Sequence, residues 1–260
     1  MNLFVFDVDG TLVTRSKKLR KEAINTLNRI IDKGDAVCIA SGRPFNGIFR
    51  YLSKLHDGKK YAICSNGSAL LDYYGNVIYD LKISYDLFLF LNEKYNYLKN
   101  KGLSIYCYID NSVGYIKYDK WIANEIRSNN IKAINLNKYK PESIQKIMLA
   151  APIDTSKEII LPKEIYEKYN VVRSSPVFLE IINKKCDKSF GVSELKRILN
   201  LKDENIFTFG DNQNDYLMIK NFNGIAMGNA TDEVKKVSKF ITKSVYEDGV
   251  SYAIKNILNY

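Results

Sequence analysis

The sequence predicts an α/β fold in which a parallel sheet with helices on its faces is interrupted by an inserted α+β domain. Three observations carry this. A wholly apolar run, Leu3-Phe4-Val5-Phe6, stops at two aspartates one residue apart. Strand-like and helix-like segments alternate with short connections over residues 1–81, and again over residues 185–260. Residues 82–184 between them read as hairpins and helices.

Four consecutive apolar residues at 3–6 suit a strand buried on both faces. Residues 19–33 then set Ala23, Ile24, Leu27, Ile30 and Ile31 on one helical stripe that stops at Gly34. The densest basic run, Lys17-Lys18-Leu19-Arg20-Lys21, reads as the solvated start of that helix. Ala36-Val37-Cys38-Ile39-Ala40 is a second buried strand ending in Ser41-Gly42-Arg43-Pro44, and Pro44 suits the first turn of a helix to about residue 55. Tyr61-Ala62-Ile63-Cys64 is a third strand, closed by Ser65-Asn66-Gly67. Two short extended pieces follow, turned at Tyr74-Gly75-Asn76. This order with short connections implies parallel strands and right-handed crossovers.

The insertion opens with a helix at 86–99 and strands at 103–109 and 113–118, joined through Asp110-Asn111-Ser112. A helix at 121–127, a strand at 146–151 and a helix at 157–169 come next. Val171-Val172-Arg173 and residues 177–182 form an antiparallel pair turned at Ser174-Ser175-Pro176. Two chain crossings, near 82 and 184, form a hinge. A helix at 189–199 then leads to the strand Asn205-Ile206-Phe207-Thr208-Phe209, which ends in Gly210-Asp211-Asn212-Gln213-Asn214-Asp215. Gly224-Ile225-Ala226-Met227 is a strand, and 233–237, 240–241 and 250–258 supply a helix, a strand and a helix.

Composition narrows the function classes. The 260 residues can form a large core, and the apolar and charged fractions of 46% and 26% are those of an ordinary globular protein. No apolar run approaches the ~20 residues a membrane helix needs. The first strand begins at Leu3, which leaves no room for a leader. Cys38, Cys64, Cys107 and Cys186 show no paired spacing and read as buried free thiols in a reducing cytoplasm. His56, the only histidine, excludes His-rich zinc sites. The net charge of +10 is spread over residues 1–185 without a basic arm, so nucleic-acid binding is not expected. A positive surface draws in small anions instead. No feature of the sequence sets an oligomeric state.

Two carboxylates at the carboxyl end of a buried strand sit where open α/β sheets bind ligands. Burying both costs several kcal/mol unless a cation compensates, and oxygen donors point to a hard cation such as Mg²⁺. Three strand ends carry such tips: Asp7 with Asp9, Ser41, and Asp211 with Asp215. A parallel sheet brings them to one edge.

Asp7-Val8-Asp9-Gly10-Thr11-Leu12, Ser41-Gly42-Arg43, Lys188 and Gly210-Asp211-Asn212-Gln213-Asn214-Asp215 resemble the four motifs of the haloacid dehalogenase superfamily. The insertion between the Ser and Lys motifs, and Asn66-Gly67, resemble its Cof-like sugar-phosphatase branch. The resemblance spans the chain. It implies a Rossmann-like catalytic core (1–81 and 185–260), a mobile cap (82–184), and Mg²⁺-dependent hydrolysis of a small phosphorylated metabolite, with no nucleic-acid or membrane partner.

The same resemblance assigns roles. Asp7 is the nucleophile and a metal ligand. Asp9 is the acid–base residue, and its backbone carbonyl a further ligand. Gly10 and Thr11 shape the turn under the phosphate. The Ser41 hydroxyl and Gly42 N–H bind phosphate oxygens, with Arg43 as a substrate contact. Lys188, favoured over Lys184 and Lys185 by its spacing to the next helix, neutralises charge. Asp211 is a metal ligand, and Asn214 and Asp215 complete the inner or outer shell. An Asp at position 9 resembles the phosphatases and phosphomutases, not the dehalogenases or pumping ATPases. Alternatives are a phosphomutase and a non-catalytic phospho-acceptor regulator. Tyr106, Tyr108, Tyr115, Tyr118 and Trp121 read as cap core or hinge surface, not a sugar-stacking platform.

Overall fold

The computed structural model describes residues 1–14 and 16–260. Strand β1 (Leu3–Phe6) is buried at every position. Helix α1 (Lys21–Asp32) turns Ala23, Leu27, Ile30 and Ile31 inward. It begins only at Lys21, the last residue of the basic run, so the run is not its first turn: Lys17 has φ +57° and Arg20 is an extended N-cap. A left-handed residue cannot propagate a right-handed helix. Next come β2 (Ala36–Ala40), α2 (Phe45–Leu52), β3 (Lys60–Cys64), β4 (Ala69–Asp72) and β5 (Val77–Asp80).

The middle of the chain holds β6 (Ile83–Ser84), α3 (Tyr85–Lys94), β7 (Ser104–Ile109), β8 (Ser112–Tyr115), α4 (Lys120–Asn129), β9 (Lys132–Asn135), β10 (Ser143–Ile144) and β11 (Lys146–Ala150). Helices α5 (Ile153–Lys157) and α6 (Lys163–Lys168) and strands β12 (Tyr169–Ser175) and β13 (Phe178–Asn183) complete it. Where the sequence predicts one helix over 157–169, α5 already ends at Lys157 and the helical part is only α6. Pro162 caps α6, lacks an N–H, and forces its predecessor out of the helical region. The helix predicted to 99 stops at Lys94 and continues only as a 3₁₀ turn closed by Gly102 at φ +91°. The chain ends with α7 (Lys188–Ile198), β14 (Ile206–Gly210), α8 (Tyr216–Asn221), β15 (Asn223–Ala226), α9 (Asp232–Val237), β16 (Phe240–Ile241) and α10 (Gly249–Asn256).

Two compact units emerge: Met1–Gly42 with Ile48–Ile78 and Asp187–Tyr260, and Arg43–Gly47 with Tyr79–Cys186. The sequence expectation sets the crossings after 81 and 184 and leaves Arg43–Gly47 with the rest of its motif.

In the first unit the sheet order is β16-β15-β14-β1-β2-β3-β4-β5. The strands from β16 to β3 run parallel, and β4 turns back antiparallel on β3. Phe6 sits opposite Phe209 on one side and Ile39 on the other, and the Phe6 and Phe209 rings stack with centroids 4.8 Å apart. The chain leaves β1 toward β2 and β3, then returns on its other side through β14. Such a reversal opens a crevice at the strand ends.

The second unit has a six-stranded sheet, β12-β13-β11-β7-β8-β9, and a two-stranded β10-β6 ribbon. Its pairs are antiparallel except β8 and β9. Side chains of β7 alternate between two apolar clusters: Ile105, Cys107 and Ile109 join Phe88 and Leu91, while Tyr106 and Tyr108 join Ile122 and Met148. Tyr106 and Tyr108 are therefore core, as the sequence predicts, whereas Tyr118 is exposed. All four cysteines are buried, and among the described residues none forms a disulfide. Among the described residues no helix is long and apolar enough to cross a membrane.

Candidate active site

The Asp7 N–H donates to the Phe209 carbonyl (3.0 Å), which extends the β1–β14 ladder by one step and fixes the acid's backbone. At the end of β14 the loop folds back so tightly that a Cβ on Gly210 would lie 2.5 Å from that of Asp215. Asp215 closes this loop, its Oδ2 accepting from the backbone N–H groups of Asp211 (2.9 Å) and Asn212 (3.0 Å). Asp187 caps α7 by accepting from the Phe190 N–H (2.7 Å), which sets Lys188 at the first helical position. From there Lys188 Nζ donates to Asp7 Oδ1 (2.5 Å) and Asp215 Oδ1 (2.6 Å), with its side chain fully buried.

Asp7, Asp211 and Asp215 each bring a carboxylate oxygen within 4.8 Å of the others. The Thr11 hydroxyl donates to Asp211 Oδ1 (3.0 Å). Gly10, at φ +93°, lets Asp211 approach, since a Cβ there would be 2.3 Å from Asp211 Oδ2. Asn229 steadies the turn by donating to the Gly10 carbonyl (2.9 Å) and accepting from the Val245 N–H (2.8 Å).

Burial pushes the Asp7 carboxyl well above its usual range; Lys188 opposes this, and Asp215 and Asp211 add to it. The Asp211 carboxyl is pushed up to about 7, first by burial and then by Asp215. Burial works against the Lys188 ammonium, but Asp215 and Asp7 outweigh it and raise its pKa. Three carboxylates thus share one ammonium, a deficit of two positive charges when all are ionised. A divalent cation matches that deficit, and a donor set made only of oxygens suits a hard one. Asp7 Oδ2 accepts no hydrogen bond among the described residues, whereas both oxygens of Asp215 are engaged. The residues present therefore fit such a metal, with Asp7 and Asp211 as the more available donors.

A second group forms around Asn66. The Ser41 carbonyl accepts from the Asn66 N–H (2.9 Å), and Asn214 Nδ2 donates to Asn66 Oδ1 (3.3 Å). A Cβ on Gly42 would sit 3.2 Å from Asn66 Nδ2. Asn66 is buried in the left-handed region at φ +55°. Gly67 follows at φ +97°, and its bare Cα lies against the Asp187 carbonyl, which a Cβ would meet at 2.0 Å.

The residues predicted from sequence thus divide. Asp7, Asp211, Asp215 and Lys188 come together, and Ser41, Gly42 and Asn214 are linked through Asn66. Asp9 stands outside the carboxylate cluster, its exposed side chain paired with Lys17. Arg43 falls in the second unit, where Nη1 donates to Asn129 Oδ1 (3.1 Å) and the Ser128 carbonyl (3.4 Å). Sequence reasoning misses Lys17 and Asn229, and gives Thr11 a turn role without its bond to Asp211. Spacing within Asp-Gly-Thr could have flagged Thr11; no local pattern announces the other two.

A profile of haloacid dehalogenase-like hydrolases matches residues 4–254. The Bacillus subtilis (strain 168) protein named "Putative phosphatase YxeH" is 27% identical, with 98% of each chain covered. The 5-amino-6-(5-phospho-D-ribitylamino)uracil phosphatase YcsE of the same organism is 26% identical, over 98% of this chain and 95% of that one. The crystal structure of a haloacid dehalogenase-like hydrolase from Bacteroides thetaiotaomicron superposes with a TM-score of 0.83 at 28% identity, covering 98% of this chain and 99% of that one. The chain belongs to the haloacid dehalogenase-like hydrolase family.

Proposed function

We propose that the protein is a Mg²⁺-dependent phosphatase that hydrolyses small phosphate monoesters through an aspartyl-phosphate on Asp7. The observation that carries this reading is the meeting of two buried carboxylates and a half-buried one with one buried lysine at the ends of β1 and β14. Asp7 attacks phosphorus through one carboxylate oxygen as the bond to the leaving group breaks, and Asp9 gives the leaving oxygen a proton. Asp9 then takes a proton from water as it attacks the aspartyl-phosphate, which releases inorganic phosphate and restores Asp7. Such acid–base help contributes ~10²–10⁴-fold. Lys188 holds Asp7 Oδ1 and offsets charge during transfer. The Ser41 hydroxyl, the Gly42 N–H and Asn214 orient the phosphate oxygens, with Arg43 contacting the substrate.

Asp7, Asp211 and the Asp9 carbonyl would hold Mg²⁺, with Asp215 behind them. When bound, the ion would draw charge from the phosphoryl oxygens and align them. Asp9 must leave Lys17 to reach a leaving group.

The second unit acts as the cap that selects the leaving group. A relative named for a phosphoribitylamino compound supports a phosphorylated metabolite as substrate. Buried cysteines without disulfides suit the reducing cytoplasm.

Phosphate release from a panel of sugar phosphates, nucleotides and nitrophenyl phosphate, with and without a chelator, tests the proposal. Asp7→Asn is expected to abolish turnover and the acid-stable phosphoenzyme seen by mass spectrometry. Asp9→Asn should lower turnover by ~10²-fold or more while KM changes little. Wild-type turnover in Asp7→Asn, or full activity in chelator, would overturn it. Isomerisation of a sugar phosphate without phosphate release would instead indicate a mutase.

A further inference from the structure

We propose that the second unit carries a binding site for a small anion with a flat apolar body, such as an aromatic carboxylate, sulfonate or phosphate, in the cavity beside Trp121. The cavity holds about 330 Å³, within the range of small-molecule sites. Its lining residues all belong to the second unit, and none is a member of the carboxylate cluster.

Leu103, Ile105 and Ile116 give it an apolar wall where β7 begins and β8 has ended. Trp121, in the first turn of α4, adds an aromatic one. The indole is held rather than loose: Nε1 donates to the Gly102 carbonyl (3.2 Å), and its ring meets Phe178 edge-on with centroids 5.6 Å apart. A fixed aromatic face favours a flat apolar guest over a flexible one, because neither side loses much freedom on stacking.

Charge decides what else the guest must carry. Lys99, Lys117 and Lys120 line the same cavity, with Lys120 Nζ 5.7 Å from the Trp121 ring centroid. Among the described residues none of these three forms an ion pair with a carboxylate. Asp119 is the one acid in the lining, and its Oδ1 is committed to the first turn of α4, accepting from the N–H groups of Trp121 (2.8 Å) and Ile122 (3.1 Å). Lys99 is partly buried, and burial, then repulsion from Lys117, lowers the pKa of its ammonium. An anion between Lys99 and Lys117 relieves that repulsion and restores the charge that burial disfavours. The lining thus sets three lysines against one acid, an excess of positive charge in an apolar hollow.

Trp121 is the chain's only tryptophan, so its fluorescence reports on this cavity alone. The intact protein is titrated with benzenesulfonate, and with benzyl alcohol and benzyltrimethylammonium as neutral and cationic probes of similar size. A saturable change in Trp121 emission is expected with benzenesulfonate, weakening as salt rises. Lys99→Ala/Lys117→Ala is expected to raise its dissociation constant roughly tenfold or more, while thermal unfolding shows the variant to be folded. Circular dichroism and turnover of nitrophenyl phosphate accompany each variant, since neither lysine belongs to the catalytic machinery. Equal responses to the three probes, an unchanged dissociation constant in the double variant, or no saturable response would each overturn the site.

Discussion

Asp7 is the residue on which most of the local physics converges. Its carboxyl and that of Asp211 hold their protons more tightly in the folded chain than in the unfolded one. The folded state therefore binds more protons, and stability falls as pH rises from the usual carboxylate range through about 7. In chelator, the melting temperature by calorimetry is expected to be lower at about pH 8 than at about pH 5.5. Mg²⁺ should raise it more at the higher pH, because the ion and the protons compete for the same oxygens. A melting temperature that rises across this window, with an Mg²⁺ effect independent of pH, would contradict the metal reading. The acids of this cluster are legible in the sequence because each follows an apolar run that can only be a buried strand. The Asp9–Lys17 pair is not, since it depends on a left-handed backbone at Lys17 that no pattern encodes.

At the scale of elements, the Ser65–Gly67 turn and the first turn of α7 are pressed together. Gly67→Ala would set a Cβ 2.0 Å from the Asp187 carbonyl in a backbone region that costs a side chain about 1–3 kcal/mol. Both effects push on the cap that fixes Lys188. Lower stability in urea is expected, with activity reduced even where the variant is folded. A variant with wild-type stability and turnover would show that the two turns are independent. Elements with a continuous apolar run or a clear stop, such as β1 and α1, are legible to within a residue or two. Strand β9 is not: Lys132–Asn135 is exposed or half-buried, and it joins the sheet only because α4 carries the chain back parallel to β8. Helix α8 is hidden by its brevity, six residues between a motif and a strand. The break at Pro162 was available to sequence reasoning, but the apolar periodicity on either side of it masks it.

For the whole molecule, the division into two units is legible as a change of rhythm, from alternating strand and helix to hairpins. The grouping of Arg43–Gly47 with the second unit is not, because contacts rather than sequence proximity decide it. If the second unit selects the leaving group, exchanging residues 79–186 for those of a relative should change which ester has the highest kcat/KM. Dependence on Asp7 and on Mg²⁺ should persist. An unchanged substrate ranking after the exchange would assign selection to the first unit.

The central position of β1 has a consequence for biosynthesis. Its two neighbours are β2, which follows closely, and β14, whose paired residues Ile206–Phe209 are made some 200 residues later. At ~5–20 residues per second, a ribosome takes roughly 10–40 s to reach them. Throughout that interval one edge of a wholly apolar strand has no partner, and such edges recruit other chains. The nascent polypeptide therefore passes through a stage in which it is most exposed to aggregation. It depends then on whatever shields that edge until β14 emerges.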